Sequence, residues 1–139
     1  MALSKCSKKS LWDPIRRCYV SATPEERVRQ KWLSLMTGPL GYPKGLLSVE
    51  SAVYNSNRRF DVLCCTPAEG GLIPLLLIEC KAEDEKGAAT SQVFGYNEEI
   101  CAPFVCVIQG DAAQTFWKEG EKVVSVPFLP TYAQLIEKL

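Results

Sequence analysis

The first regular pattern along the chain is that of an amphipathic helix. Thr23 is a favourable N-cap, Pro24 suits the first helical position, and Glu26 stands where a capping box needs an acid. Apolar side chains then recur at the spacing of one helical face until Gly38-Pro39 ends the pattern. The sequence therefore predicts a helix between Thr23 and Gly38 whose buried face consists of Val28, Trp32, Leu35 and Met36.

The next segments have the patterns of β-strands. Residues 46–54 and 58–65 flank the turn sequence Asn55-Ser56-Asn57, so we expect two strands joined by that turn. After a predicted loop at 67–71, residues 72–80 are apolar on both faces, which is typical of a central strand that is covered on both sides.

The rest of the chain continues the alternation of helices and strands. A second helix is predicted at about 92–100, a strand at 104–109, and a hairpin around Gly120 at 116–126. Residues 131–139 are predicted to form a terminal helix with Ala133, Leu135 and Ile136 inward. The order helix, strand, strand, strand, helix, strand predicts an α/β fold class with a mixed sheet and with helices on both faces.

Length and composition place these elements in one domain. The 139 residues, 47% of them hydrophobic, suffice for a single core, so we divide the chain into a basic extension at 1–13 and one domain at 14–139. The longest apolar run, Leu72 to Ile78, is far shorter than the roughly 18 residues of a membrane span. No secretory signal pattern precedes the domain. We therefore expect a cytoplasmic protein without a membrane partner.

The residue inventory limits the available chemistry. The chain contains no histidine, which excludes Ser-His and Cys-His catalysis and histidine-ligated zinc. Its seven cysteines lack a C-x-x-C pair and are expected to be reduced, mostly as core residues. A reaction in this domain must therefore use carboxylates, lysine, cysteine or a hard metal ion.

Basic residues are concentrated near the N-terminus. Residues 1–31 hold eight basic and three acidic side chains, whereas the rest holds eight basic and thirteen acidic ones. A basic N-terminal region of this kind, here called the basic front, can contact the phosphates of a nucleic acid. The candidate residues for such contacts are Arg16, Arg17, Arg27 and Lys31. A solvated tail and helix face is the alternative that charge alone leaves open.

Three carboxylates interrupt otherwise apolar strands: Glu50, Asp61 and Glu79. Buried carboxylates are costly unless they are compensated, so three that converge would be tolerated mainly around a cation. At a strand end, Glu79 and Lys81 point to the same face and Cys80 to the other. Two acids and the carbonyl of Cys80 would hold Mg²⁺ or Mn²⁺, with Lys81 directed at the same reacting group.

These residues resemble a known nuclease superfamily. Asp61, followed after seventeen residues by Glu79-Cys80-Lys81, is similar to the D-x(n)-E-x-K motif of PD-(D/E)XK nucleases. Gln92 and Tyr96 match the Q-x-x-x-Y motif of the helicase-nuclease and type I restriction branches. More specifically, the chain from about Pro14 to Gly110 resembles the N-terminal nuclease domain of type I restriction R subunits. The segments that carry this resemblance are Thr23 to Gln30, Val49-Glu50, Arg58 to Asp61 and Leu77 to Lys81.

The resemblance implies a restriction-endonuclease-like core and a role for each matching residue. Asp61 and Glu79 would bind the metal with Glu50 as an additional acid, and Lys81 would be the catalytic lysine. Gln92 and Tyr96, four residues apart and so on one helix face, would position the substrate or metal. The implied function is that of a metal-dependent endonuclease that hydrolyses DNA.

The chain also departs from the pattern of that family. Ile108-Gln109-Gly110 stands where the family often has T-N-G, and Phe60 replaces the motif's proline. No G-x-x-x-x-G-K-[ST] motif occurs, so we expect a module without its own motor, acting as a homo-oligomer or with a separate motor subunit. The alternative function is a catalytically idle nucleic-acid-binding or assembly domain that keeps the nuclease fold.

Overall fold

A six-stranded mixed sheet is the centre of the structure. The computed structural model describes residues 9–49, 61–81, 97–98 and 100–139. Within them the strands are β1 (Ser10–Asp13), β2 (Cys18–Ser21), β3 (Leu47–Val49), β4 (Val62–Ala68), β5 (Gly71–Lys81), β6 (Phe104–Gln109), β7 (Ala112–Glu119) and β8 (Lys122–Val126). The helices are α1 (Pro24–Thr37) and α2 (Tyr132–Glu137), with a short 3₁₀ helix at Lys44–Leu46.

The sheet order follows the chain from β3 to β8, and β1 pairs separately with β2. All neighbouring strands are antiparallel except β5 and β6, which run parallel with Glu79 opposite Val107. In β5, residues 75–80 are all buried, which confirms the predicted central strand there, whereas Leu72 and Ile73 near its start are exposed. The predicted mixed sheet is therefore confirmed, as are the bounds of β6.

The core divides between the two faces of this sheet. The larger cluster includes Trp32, Leu33 and Met36 of α1 together with Ile78 and Cys80 of β5. The smaller cluster, on the opposite face, is built on Leu77, Ala102 and Val105. Helix α2 joins the larger cluster through Leu135. The predicted helix at 92–100, which would cover the smaller cluster, lies mostly outside the described residues; residues 97, 98 and 100 are helical.

Helix α1 begins as the sequence predicts and buries the predicted Trp32 and Met36, but the rest of its buried face differs. Thr23 Oγ1 accepts a hydrogen bond from the backbone N–H of Glu26 at 3.1 Å. The expected capping box is wrong, because the Thr23 N–H donates to the carbonyl of Ser21 and the Glu26 carboxylate binds other side chains. The buried residues are Glu26, Arg29, Trp32, Leu33 and Met36, whereas the predicted Val28 and Leu35 are only half-buried.

Two local features differ from the sequence prediction. The loop expected at 67–71 is a turn at Glu69-Gly70, since β4 continues to Ala68 and β5 starts at Gly71. Gly70 has φ of 89°, a conformation that other residues rarely adopt. Only β3 and β4 of the first predicted strand pair are described, because residues 50–60, including the turn at 55–57, lie outside the described part.

The N-terminal hairpin of β1 and β2 was not predicted. Trp12 pairs with Tyr19, and Asp13 Oδ1 accepts from the backbone N–H groups of Ile15 and Arg16 in the turn. Near the C-terminus, the predicted hairpin and helix are confirmed, with Thr131 as N-cap, although β7 begins at Ala112, before the predicted Phe116, and α2 ends at Glu137. Ala133, predicted to face inward, is exposed. None of the described helices is long and apolar enough to cross a membrane.

Candidate carboxylate and lysine site

Three of the predicted site residues lie together where β5 ends and β4 begins. Glu79 and Lys81 project from the same face of β5, with Lys81 Nζ 3.5 Å from Glu79 Oε1. Asp61 stands directly before β4, and its Oδ2 accepts a hydrogen bond of 2.9 Å from the Cys80 N–H. The Cys80 side chain points to the opposite face, into the larger core cluster. Two acids and one lysine therefore share one end of the sheet.

Burial strongly affects the protonation of Glu79. Only 6% of this residue is exposed, and burial, together with a hydrogen bond to Asp61 and the Asp61 charge, raises the pKa of Glu79 to about 8. The charge of Lys81 acts in the opposite direction but is outweighed. Two neighbouring carboxylates that are shielded from solvent do not readily ionise at the same time unless a positive charge lies close to them. Glu79 is therefore mostly protonated at neutral pH.

Asp61 has a buried cation as its partner. Arg29 Nη2 donates to Asp61 Oδ1 at 2.6 Å, and Nη1 of the same guanidinium donates to Glu26 Oε1 at 2.5 Å. Arg29 is 3% exposed. Burial alone would lower the pKa of Arg29, but the hydrogen bond and charge of Asp61 raise it, so the guanidinium stays charged. Arg29 thus joins helix α1 to the candidate site.

The ion pairs continue from Glu26 to the N-terminal hairpin. Arg16 Nη2 donates to Glu26 Oε1 at 2.9 Å and Arg16 Nε to Asp13 Oδ2 at 2.6 Å. Gln30 Nε2 lies within hydrogen-bond distance of both Asp13 Oδ2 and Glu26 Oε2. Asp13 is fully buried, and although burial opposes it, these hydrogen bonds lower its pKa. A continuous chain of charged groups therefore connects β1 with Asp61.

Glu26 and Arg29 are neighbours of the site that were not predicted from the sequence. Both stand on the buried face of α1, where the helical spacing of Glu26, Arg29, Leu33 and Met36 places all four on one stripe. Two charged residues on the same stripe as core residues are the pattern that could have identified them. Apolar spacing alone selected Val28 and Leu35 instead.

The remaining predicted site residues have different positions. Arg17 and Arg27 are exposed, as a phosphate contact requires. Arg16 is half-buried in its ion pairs, and Lys31 forms an exposed ion pair with Asp111. Glu50, Gln92 and Tyr96 lie outside the described residues.

The donor atoms at the site suit a hard divalent cation. Asp61 and Glu79 supply carboxylate oxygens, which Mg²⁺ and Mn²⁺ prefer, and the raised pKa of Glu79 marks a place where added positive charge would be favourable. In the described part of the chain, no group of three or more acidic, cysteine or histidine residues forms a complete ligand set. The present residues fit a metal held by two carboxylates with other ligands from water or substrate.

Fold and site together define a mixed α+β domain with paired acids and a lysine at one end of its sheet. Comparison with known protein families identifies the family of this domain. Residues 24–130 match the family described as the type I restriction enzyme R protein N terminus, and the chain belongs to that family. Neither the curated proteins nor the solved structures contain a match to the chain.

Proposed function

We propose that this protein is a metal-dependent endonuclease domain that hydrolyses DNA phosphodiester bonds. The observation that carries the proposal is the meeting of Asp61, Glu79 and Lys81 at one end of the sheet, within a chain that belongs to a restriction-enzyme family. We further propose that the core is of the restriction-endonuclease type in the PD-(D/E)XK superfamily.

In this proposal Asp61 and Glu79 hold Mg²⁺ or Mn²⁺, with the carbonyl of Cys80 and the side chain of Glu50 as further ligands. A bound divalent ion supplies positive charge to the scissile phosphate and a lower pKa to an attacking water. Glu79 must lose its proton to act as a ligand, so loading of the site releases a proton near neutral pH.

Lys81 has the position required for a catalytic cation. Its side chain is 17% exposed and leaves β5 on the same face as Glu79. A flexible lysine at a strand end can reach a phosphate oxygen or an attacking water beside the two carboxylates. Its ammonium would stabilise the negative charge that develops on the phosphate in the transition state.

The family supports DNA as the substrate and other restriction subunits as partners. The exposed Arg17 and Arg27 are proposed to contact phosphates, with Arg16 and Lys31 at the same basic front. Gln92 and Tyr96 are proposed to position the substrate.

One observation favours the second candidate function, an idle binding or assembly domain. Both oxygens of Asp61 already accept hydrogen bonds, from Arg29 and from the Cys80 N–H. Each carboxylate oxygen has two lone pairs, however, and the hydrogen bond between Glu79 and Asp61 is lost when Glu79 gives up its proton, so Asp61 has acceptor positions for a metal. The geometry therefore supports the nuclease better than the idle domain.

Titration calorimetry with MnCl₂ tests the metal site on which the proposal depends. Wild type is expected to bind Mn²⁺, and Asp61→Ala to bind it at least about tenfold more weakly, since one of two carboxylate ligands is lost. Glu121→Ala, which removes an exposed acid in the turn between β7 and β8, is the matched control and should bind as wild type does. Equal binding by wild type and Asp61→Ala would show that the site has been assigned to the wrong residues.

A further inference from the structure

We infer that Arg29 and Glu26 of helix α1 are positioning residues that orient the Asp61 carboxylate for metal binding. The inference rests on the proposed metal site and adds two residues to it. Neither residue would touch the substrate or the metal, since each acts through Asp61.

The geometry of Arg29 suits it to orient the Asp61 carboxylate. With 3% exposure it is not a surface cation available to a phosphate backbone. Its two terminal nitrogens bind two different carboxylates, Glu26 at 2.5 Å and Asp61 at 2.6 Å. A guanidinium is planar and holds its donors in a fixed fork, so anchoring one nitrogen on Glu26 fixes the direction of the other. The Asp61 carboxylate is consequently held between Arg29 and the Cys80 N–H.

Charge balance explains why Glu26 is needed beside Arg29. A lone cation on Asp61 would oppose a divalent ion at the same carboxylate. Glu26 offsets that charge, and its own second interactions with Arg16 and Gln30 keep it in place. The charges of Asp13, Arg16, Glu26 and Arg29 sum to zero, so the network orients Asp61 without cancelling its negative charge.

A purely structural role explains these residues poorly. Replacing buried ion pairs by apolar residues of similar size is often neutral or stabilising. Helix α1 already packs on the core through Trp32, Leu33 and Met36. Apolar side chains at positions 26 and 29 would serve that packing at least as well, but they would donate no hydrogen bond to the carboxylate of Asp61.

The test compares Mn²⁺ binding by the full chain in four forms: wild type, Arg29→Lys, Glu26→Gln and Glu25→Gln. Lysine keeps the charge but lacks the rigid planar fork that fixes the direction between two carboxylates, so Arg29→Lys should weaken Mn²⁺ binding about tenfold or more. Glu26→Gln keeps the size of the side chain but leaves the Arg29 charge unbalanced, and should weaken Mn²⁺ binding by a similar factor. Glu25 is the exposed neighbour on the same helix, so Glu25→Gln should bind as wild type does.

Thermal melting and DNA cleavage complete the test. The binding result of a variant is interpreted only when its thermal melt shows a cooperative unfolding transition. If Arg29→Lys does not fold, the nearly isosteric Glu26→Gln tests the inference. For a positioning role kcat should fall with little change in the KM for DNA, whereas a stability defect alone would move neither the Mn²⁺ affinity nor kcat of the folded fraction.

Two results overturn the inference, and they are distinguishable. If wild type binds Mn²⁺ and both folded variants bind it equally well, Arg29 and Glu26 do not position Asp61, while the metal site stands. If wild type itself binds no Mn²⁺, the proposed metal site is wrong and the positioning role is wrong with it.

Discussion

Replacing Glu79 by glutamine is expected to stabilise the protein above pH 8 and to leave its stability nearly unchanged near pH 4.5. The pKa of Glu79 is about 8 in the folded chain against an ordinary value of 4.5, because the carboxyl is buried beside Asp61. Between these two values the folded state keeps a proton that the unfolded state has lost, so stability falls as the pH rises. Glutamine resembles the protonated acid and removes this dependence.

The size of the effect follows from the displaced pKa. Each pH unit of displacement corresponds to about 1.4 kcal/mol, so the full difference is on the order of a few kcal/mol once the adjustment of Lys81 and Asp61 is allowed for. For a domain of this length that shifts the melting temperature by roughly 10 °C. Thermal melts in EDTA at about pH 5 and about pH 8.5 measure it, with the exposed Glu121→Gln as matched control.

The same experiment with Mg²⁺ connects stability to the site. A divalent ion beside Glu79 favours the ionised carboxylate, so Mg²⁺ at about pH 8.5 should raise the melting temperature of wild type more than that of Glu79→Gln. Melting curves of wild type and Glu79→Gln that shift in parallel with pH would show that Glu79 is not buried beside Asp61 as described.

Two further predictions concern the surface and the thiols. Replacing the exposed Arg17 and Arg27 by alanine should weaken DNA binding and reduce its dependence on salt concentration, both measured by fluorescence anisotropy. A wild-type affinity for DNA that does not change with salt would contradict phosphate contact. Alkylation of the native protein should modify the exposed Cys18 and Cys101 first, because burial raises the pKa of the core thiols Cys64, Cys80 and Cys106. Mass spectrometry would refute this if it found the core thiols modified as fast as the exposed ones.

Local sequence patterns were sufficient to predict the elements that depend mainly on their own residues. Residues 75–80 of β5 and most of β6 are covered on both faces, so continuous apolar runs identify the two strands with nearly correct bounds. The start of α1 depends on Thr23 and Pro24, which act locally. The placement of Glu79 and Lys81 on one face follows from the two-residue period of a strand.

The features that were not predicted depend on contacts between distant parts of the chain. Burial of Glu26 and Arg29 in α1 requires partners that the helix sequence does not contain, namely Arg16 and Asp61. Asp61 interrupts an apolar strand pattern and so needs compensation, but no local pattern could identify the cation, 32 residues away, that supplies it. The β1–β2 hairpin has four-residue strands, too short for a period to be recognised, and its turn is held by Asp13.

The most direct test of the proposed function is a plasmid-nicking assay of wild type and Lys81→Ala with Mg²⁺ or Mn²⁺, beside a thermal melt of each. We predict that Lys81→Ala lowers the rate of cleavage about a hundredfold or more, since a fixed positive charge is lost from a partly dry site. Its melt should stay close to that of wild type, and Lys122→Ala, an exposed lysine of β8, should cleave at the wild-type rate. Equal cleavage by wild type and Lys81→Ala, or no cleavage by wild type with either metal, would contradict a nuclease site at Asp61, Glu79 and Lys81.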